Sequence, residues 1–312
     1  MKRRSVARGN YTSAILKVSG FALFLLFLVA VVFLFRYVRG NRDVPSLKEI
    51  YDDWQTSSYT SVHLKSARLL QDDPFNPELL AFNGFSSYYI YVSESEDAST
   101  LGYLENAVIS LRQAMYFADK KDIPKIAYIL GKAYYQKGEY YADLALKYLE
   151  IAENSQEAGE HNFSDLQEFK GMASVSLKQF EKAVNSFTQA LKETSSPFLL
   201  YVLAETYMKM KDFQNAKQYF FQTITKTQDE ILQLKCRYQI GTILFDENDF
   251  EGAKREFVAI LEKDEASAEA HYGLGLVFEK EGDMVRARSE WRRALKANPL
   301  HEKTQGKIKN LS

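Results

Sequence analysis

The residues best able to do chemistry in this sequence are scattered. Four histidines, His63, His161, His271 and His301, stand far apart, and none has a His, Cys or carboxylate partner at metal-ligand spacing. Cys236 is the single cysteine, which excludes an intramolecular disulfide framework and any cysteine-based zinc site. It reads as a small buried helix residue. There is no G-x-x-x-x-G-K-S/T phosphate loop and no G-x-S-x-G elbow. Gly273-Leu274-Gly275 is briefly glycine-rich but lacks a third glycine and sits in a helical pattern. Runs such as Glu279-Lys280-Glu281 read as a solvated helix face. A formal net charge of −1 supplies no overall attraction to nucleic acid. The reading is a non-enzyme without metal or cofactor.

What recurs instead is tyrosine. Tyr128, Tyr201, Tyr238 and Tyr272 each stand three residues before a small residue, namely Gly131, Ala204, Gly241 and Gly275. Tyrosine joins a large apolar ring to a hydrogen-bonding tip, which is the chemistry of protein recognition. The spacing then directs attention to the elements that carry these side chains.

Those elements are helices. Proline and glycine are scarce (6 and 15) and Tyr and Phe abundant (20 and 21), which favours helices packed through aromatics. From about Val44 the chain repeats at roughly 34 residues, the period of paired-helix solenoids. The clearest unit, Ala268 to His301, carries Leu274-Gly275, Phe278, Gly282-Asp283, Ala287, Trp291, Ala294-Leu295 and Pro299. Gly275 and Ala287 mark the close crossing of two antiparallel helices, with Phe278 and Trp291 filling above and below. Gly282-Asp283 makes the turn and Asn298-Pro299 ends the second helix.

The same grammar appears as Gly241/Ala253 with Leu244, Phe257 and Asn248-Asp249, and as Ala204/Ala216 with Tyr207, Phe220 and Lys211-Asp212. It appears again as Gly171/Ala183 with Phe187 and Ala190. There Lys170 and Ser174 replace large apolar groups, so that hairpin is expected to be looser. Pro124 to Phe163 has Leu130-Gly131, Tyr134 and Gly138, with its small residue Ala145 about two positions late. In Pro77 to Ile123 an acidic stretch over 93–102 separates Gly84 from Ala107, as a loop or a helix extension.

This pattern resembles the tetratricopeptide repeat (TPR) family over nearly the whole chain after residue 43. The resemblance implies an all-α fold, a right-handed α-solenoid of helix-turn-helix units. It also implies a concave groove, lined by the first helix of each unit, that receives a peptide or a partner's helix. Positions three before each crossing residue should face that groove: Ala81, Tyr128, Glu168, Tyr201, Tyr238 and Tyr272. Adjacent inward positions add Phe85, Tyr88, Lys132, Tyr135, Met208, Lys209 and Phe245. The alternative is that the tyrosines only pack the junctions between hairpins. Some family members hold a C-terminal carboxylate with asparagines beside the crossing. Here those places carry Phe85, Lys132, Met172, Glu205, Thr242 and Leu276, so that clamp is absent.

Ahead of the repeats, Phe21 to Phe35 is uniformly apolar, and Val18 to Val38 is long enough to cross a bilayer as a helix. Arg36 and Tyr37 suit the interface. A cleaved signal peptide is the competing reading, but the run is long for an h-region and no A-x-A-like site follows. Lys2, Arg3, Arg4, Arg8 and Lys17 precede the span; Arg36, Arg39, Arg42 and Lys48 follow it. The small excess places the N-terminus inside and the repeats outside, in the periplasm of a bacterium.

The expected organisation is therefore a basic tail (1–17), a transmembrane signal anchor (18–38) and a juxtamembrane segment with a degenerate first repeat (39–76). The solenoid follows over 77–301, in units 77–123, 124–163, 164–196, 197–233, 234–267 and 268–301. The polar tail 302–312 is a partial capping helix or a frayed end. The expected function is a membrane-anchored scaffold binding a protein or peptide partner. The chain is similar to bacterial inner-membrane proteins with one anchor and an extracytoplasmic repeat domain, which assist envelope assembly or protein export. The alternative is a structural subunit of a permanent membrane complex or a homo-oligomer with no mobile client.

Overall fold

The computed structural model describes residues 27–34, 44–94, 100–154 and 163–309, and every regular element among them is helical. Residues 27–34 are helical, but most of the expected span 18–38 and all of the tail 1–17 lie outside the described residues. No described helix is long and apolar enough to cross a membrane. His161 and residues 95–99 of the acidic stretch also lie outside them.

Two short helices come first, α1 (Leu47–Gln55) and α2 (Tyr59–Leu69). Six hairpins follow. They pair α3 (Pro77–Ser93) with α4 (Leu101–Phe117), α5 (Ile123–Gln136) with α6 (Ala142–Asn154), and α7 (Leu166–Ser176) with α8 (Phe180–Glu193). Next come α9 (Pro197–Lys209) with α10 (Phe213–Lys226), α11 (Glu230–Asp246) with α12 (Phe250–Leu261), and α13 (Ala268–Lys280) with α14 (Met284–Ala297). The tail forms α15 (Glu302–Lys309), which packs on α14. There Lys307 bonds Glu279 at 2.5 Å and sits over the Trp291 ring, so the tail caps the last hairpin.

Each helix packs on its sequence neighbour, and the first helices α3, α5 and α7 also touch in series, as do α11 and α13. Burial is correspondingly divided into successive local clusters along the chain. Stability in such an array is a sum of unit and nearest-neighbour terms.

The local rules that build these hairpins recur. Lys211, Asn248 and Gly282 have left-handed φ values of 62°, 65° and 84°. The next residue, Asp212, Asp249 or Asp283, accepts the backbone N–H three positions on and caps the second helix. Pro77 and Pro197 open first helices behind capping Asn76 and Ser196, where a missing N–H costs nothing.

The crossing glycines do more than allow close approach. Side chains pack onto the bare Cα atoms of Gly171 and Gly275, namely Phe187 and Trp291. The large residue thus sits on the glycine itself and not above or below it. Phe257 is held between two: a Cβ on Gly241 would come within 2.7 Å of its ring and one on Gly273 within 2.5 Å. Gly273, set in the next unit, therefore joins hairpins. The hairpin with Lys170 and Ser174 closes in the same way, through Phe187 on Gly171. Lys170 turns aside to Glu153 of the preceding unit at 2.6 Å, and Ser174 is buried with its hydroxyl unpartnered.

Near the N-terminal end a buried polar network replaces apolar packing. Asn83 Nδ2 donates to Ser66 Oγ at 3.0 Å, while Asn83 Oδ1 accepts from Asn106 at 2.8 Å and Ser110 at 3.1 Å. Ser87 Oγ and Asn83 Nδ2 both face His63 Nδ1, at 3.0 and 3.3 Å. Burial holds the His63 pKa below its ordinary value, against the opposing effect of a hydrogen bond with Asn83. Because the folded pKa is depressed, the unfolded chain takes the proton first as pH falls. The contribution is complete above about pH 6.5 and is lost as pH drops through the folded value. Urea midpoints followed by Trp54 fluorescence should fall on acidification below that pH, and His63→Gln should flatten the dependence. An equal pH slope in the variant would refute the assignment.

Candidate functional site

The first helices of the C-terminal half place two of the repeating tyrosines in one cleft. Tyr201 on α9 and Tyr238 on α11 line a cavity of about 440 Å³ with Ile231, Leu234 and Gln239. Lys235, Asp264 and Glu269 add charged groups to its lining. The α11 contributors follow from helical spacing, since Ile231, Leu234, Lys235 and Tyr238 fall on one face.

Both rings are half-buried and each leans on the large residue of its own hairpin. Tyr201 lies 5.8 Å from Phe220 and Tyr238 5.9 Å from Phe257, centroid to centroid. The Tyr201 hydroxyl donates to Glu205 at 2.7 Å. Burial first, then that carboxylate, pushes its pKa well above the ordinary phenol value. Burial likewise raises Tyr238. Both therefore present neutral hydroxyls. Ile231, in contrast, is 67% exposed and Phe198 at the start of α9 is 50% exposed. Spacing from the crossing residue had not singled out either one; the step of seven from Tyr238 back to Ile231 was the available signal.

The other expected groove residues divide. Tyr272 is half-buried at the far end, its ring 5.3 Å from His301. Phe245 packs on Phe250 at 5.6 Å, Met208 joins the core around Phe220, and Lys209 is exposed at the end of α9. In the N-terminal half the chain covers its own groove. Phe163 stacks on Tyr128 at 4.2 Å, and Asp165 takes the Tyr128 hydroxyl and pairs with Lys132 at 2.7 Å. Lys132 also lies 4.6 Å from the Phe169 centroid, and Tyr135 packs edge-on to Phe169 and donates to Met172 Sδ at 3.4 Å. Tyr88 corrects the sequence expectation: at 2% exposure it belongs to the core and presents no surface. For Tyr88, Tyr128 and Lys132 the junction-packing alternative describes the contacts; Tyr201 and Tyr238 both pack on their hairpins and line the open cleft. Among the described residues no group of His, Cys, Asp and Glu could hold a metal ion.

The tetratricopeptide repeat family matches residues 238–302, and again residues 165–196 and 199–221. Tetratricopeptide repeats are present over those residues. No curated protein matches it by sequence. Among solved structures, the C-terminal part of a TPR repeat-containing protein from Cytophaga hutchinsonii aligns with TM-score 0.61 at 15% identity. That alignment covers 84% of this chain and 98% of the other, and it fixes the fold as a TPR solenoid. YrrB, described as a TPR protein with an unusual peptide-binding site, aligns with TM-score 0.47 at 19% identity, over 64% of this chain and 97% of its own. MamA from Desulfovibrio magneticus RS-1 aligns with TM-score 0.49 at 16% identity, over 58% and 98%.

Proposed function

We propose that this TPR protein is a membrane-anchored scaffold that captures a peptide or helix of a partner protein in the cleft between α9 and α11. The cleft carries the reading. It is open, and it sets Tyr201 and Tyr238 beside the exposed Ile231 in a lining that also carries Lys235, Gln239, Asp264 and Glu269. The span 18–38, uniformly apolar from Phe21 to Phe35, would hold the repeats at the membrane, and the slight lysine and arginine excess before it would put them in the periplasm of a bacterium. Envelope assembly or protein export is the setting this arrangement suits.

A photoactivatable residue in place of Ile231, irradiated in intact membranes, tests the capture. One dominant foreign protein, lost when Tyr201 and Tyr238 are altered, is the expected product. Crosslinking only to a second copy of the chain would establish the structural-subunit alternative instead, and no crosslink would refute both. In the same membranes a C-terminal reporter active only outside the cytoplasm should be active; activity of a cytoplasm-only reporter would reverse the orientation.

A further inference from the structure

The last hairpin ends in a basic surface that the tyrosine cleft leaves unused. Residues 284–309 carry eight Lys or Arg against two Glu, in a chain whose formal net charge is −1. Beside this surface a cleft of about 620 Å³ opens between the end of α12, the loop before α13 and the last turns of α14. Leu261, Ala266 and Ala297 give it an apolar floor, while Arg293, Lys296 and Glu265 stand around it. It shares no lining residue with the Tyr201–Tyr238 cleft.

The wall beneath is prearranged. His271 Nδ1 lies 2.7 Å from Glu290 Oε2, and His271 Nε2 lies 3.1 Å from the Glu265 carbonyl oxygen. The other Glu290 oxygen accepts from Arg293 Nη1 at 2.9 Å. Histidine and carboxylate are both buried, yet the Arg293 side chain is 61% exposed. One edge of the guanidinium is thus fixed on a buried anion and its remaining N–H donors are turned to solvent. Lys296 adds an exposed ammonium one turn further along.

We propose that this cleft is a second docking site, for an acidic peptide segment that seats one apolar side chain on the floor and its carboxylates on Arg293 and Lys296. Charge complementarity and the apolar floor together select that occupant. The only ring in its lining, His271, is buried and held on both nitrogens, so no exposed aromatic face is offered to stack a base, which disfavours single-stranded nucleic acid.

The test uses the full-length protein in detergent and fluorescence anisotropy. One fluorescein-labelled peptide alternates glutamate pairs with leucine; its counterpart carries lysine for glutamate. The glutamate peptide should bind, more weakly at high salt, and the lysine peptide should not. Lys296→Glu should weaken binding about tenfold by setting like charges together. Ala266→Trp, which fills the floor and leaves the basic groups intact, should abolish it. A Tyr201→Ala/Tyr238→Ala variant should bind the peptide as the parent does, so failure of the groove reading would leave this site standing. Equal binding of both peptides, no binding of either, binding undiminished in both cleft variants, or loss in the tyrosine variant would overturn the proposal. Stronger binding of an oligothymidylate would overturn it as well, in favour of nucleic acid.

Discussion

Phe257→Ala is expected to cost about 3–5 kcal/mol, at the upper end of what large-to-small core changes do. The cost of such a change depends on whether neighbours can collapse into the void. Here they cannot readily do so, because the ring is flanked by Gly241 and Gly273, which have no side chain to move inward. Phe257 also joins two units, packing under α11 of its own hairpin and α13 of the next. In a nearest-neighbour array, losing an interface term uncouples the units on either side. Unfolding should therefore split. The chain has two tryptophans, Trp54 in α1 and Trp291 in α14, which report opposite ends. In urea the Trp291 midpoint should fall sharply while the Trp54 midpoint stays near its parent value. A single shared transition, displaced by less than about 1 kcal/mol, would show that Phe257 is not the coupling residue. Gly273→Ala approaches the same contact by overpacking, placing its Cβ 2.5 Å from the Phe257 ring, and should cost about 1–3 kcal/mol.

The helices and their crossings were legible because the code for them is local and repeated. A small residue such as Gly241 or Gly275, a turn ending in aspartate, and a large residue on the second helix recur at nearly constant spacing. Spacing also brought Tyr201 and Tyr238 to one side of adjacent first helices. It could not tell which tyrosines remain open, because that is decided by segments outside the period. The stretch Phe163 to Asp165, just before α7, folds over Tyr128 and Lys132. Extra apolar contacts at the longer first hairpin, where α3 and α4 both extend beyond the usual length, seal Tyr88. The His271–Glu290 pair was equally hidden: the two residues lie on different helices of one hairpin, and neither belongs to the crossing pattern. Helical periodicity specifies the face on which a residue lies. It does not specify what an irregular segment lays across that face.

Tyr201→Ala/Tyr238→Ala should reduce partner affinity about 100-fold or more while the far-ultraviolet circular dichroism spectrum keeps its helical form. Buried interface tyrosines typically cost 2 kcal/mol or more each on truncation, and the two share one cleft, so their effects need not add. The same rings touch Phe220 and Phe257, so truncation also removes packing inside each hairpin. Binding loss alone would therefore not separate recognition from stability. Ile231→Glu makes that separation. Its side chain lines the cleft at 67% exposure, so a carboxylate there buries nothing in the fold and loses nothing from the core. Set beside the existing Asp264 and Glu269, it adds like charge and polarity at the contact itself. If the cleft is the capture site, Ile231→Glu should weaken binding about tenfold or more with an unchanged urea midpoint. Tyr201→Phe, which removes only the hydroxyl held by Glu205, should then show how much of the anchor is ring and how much is its polar tip. Full affinity in Ile231→Glu, together with a lowered midpoint in the double tyrosine variant, would reduce both tyrosines to junction packing and leave the cleft without a partner.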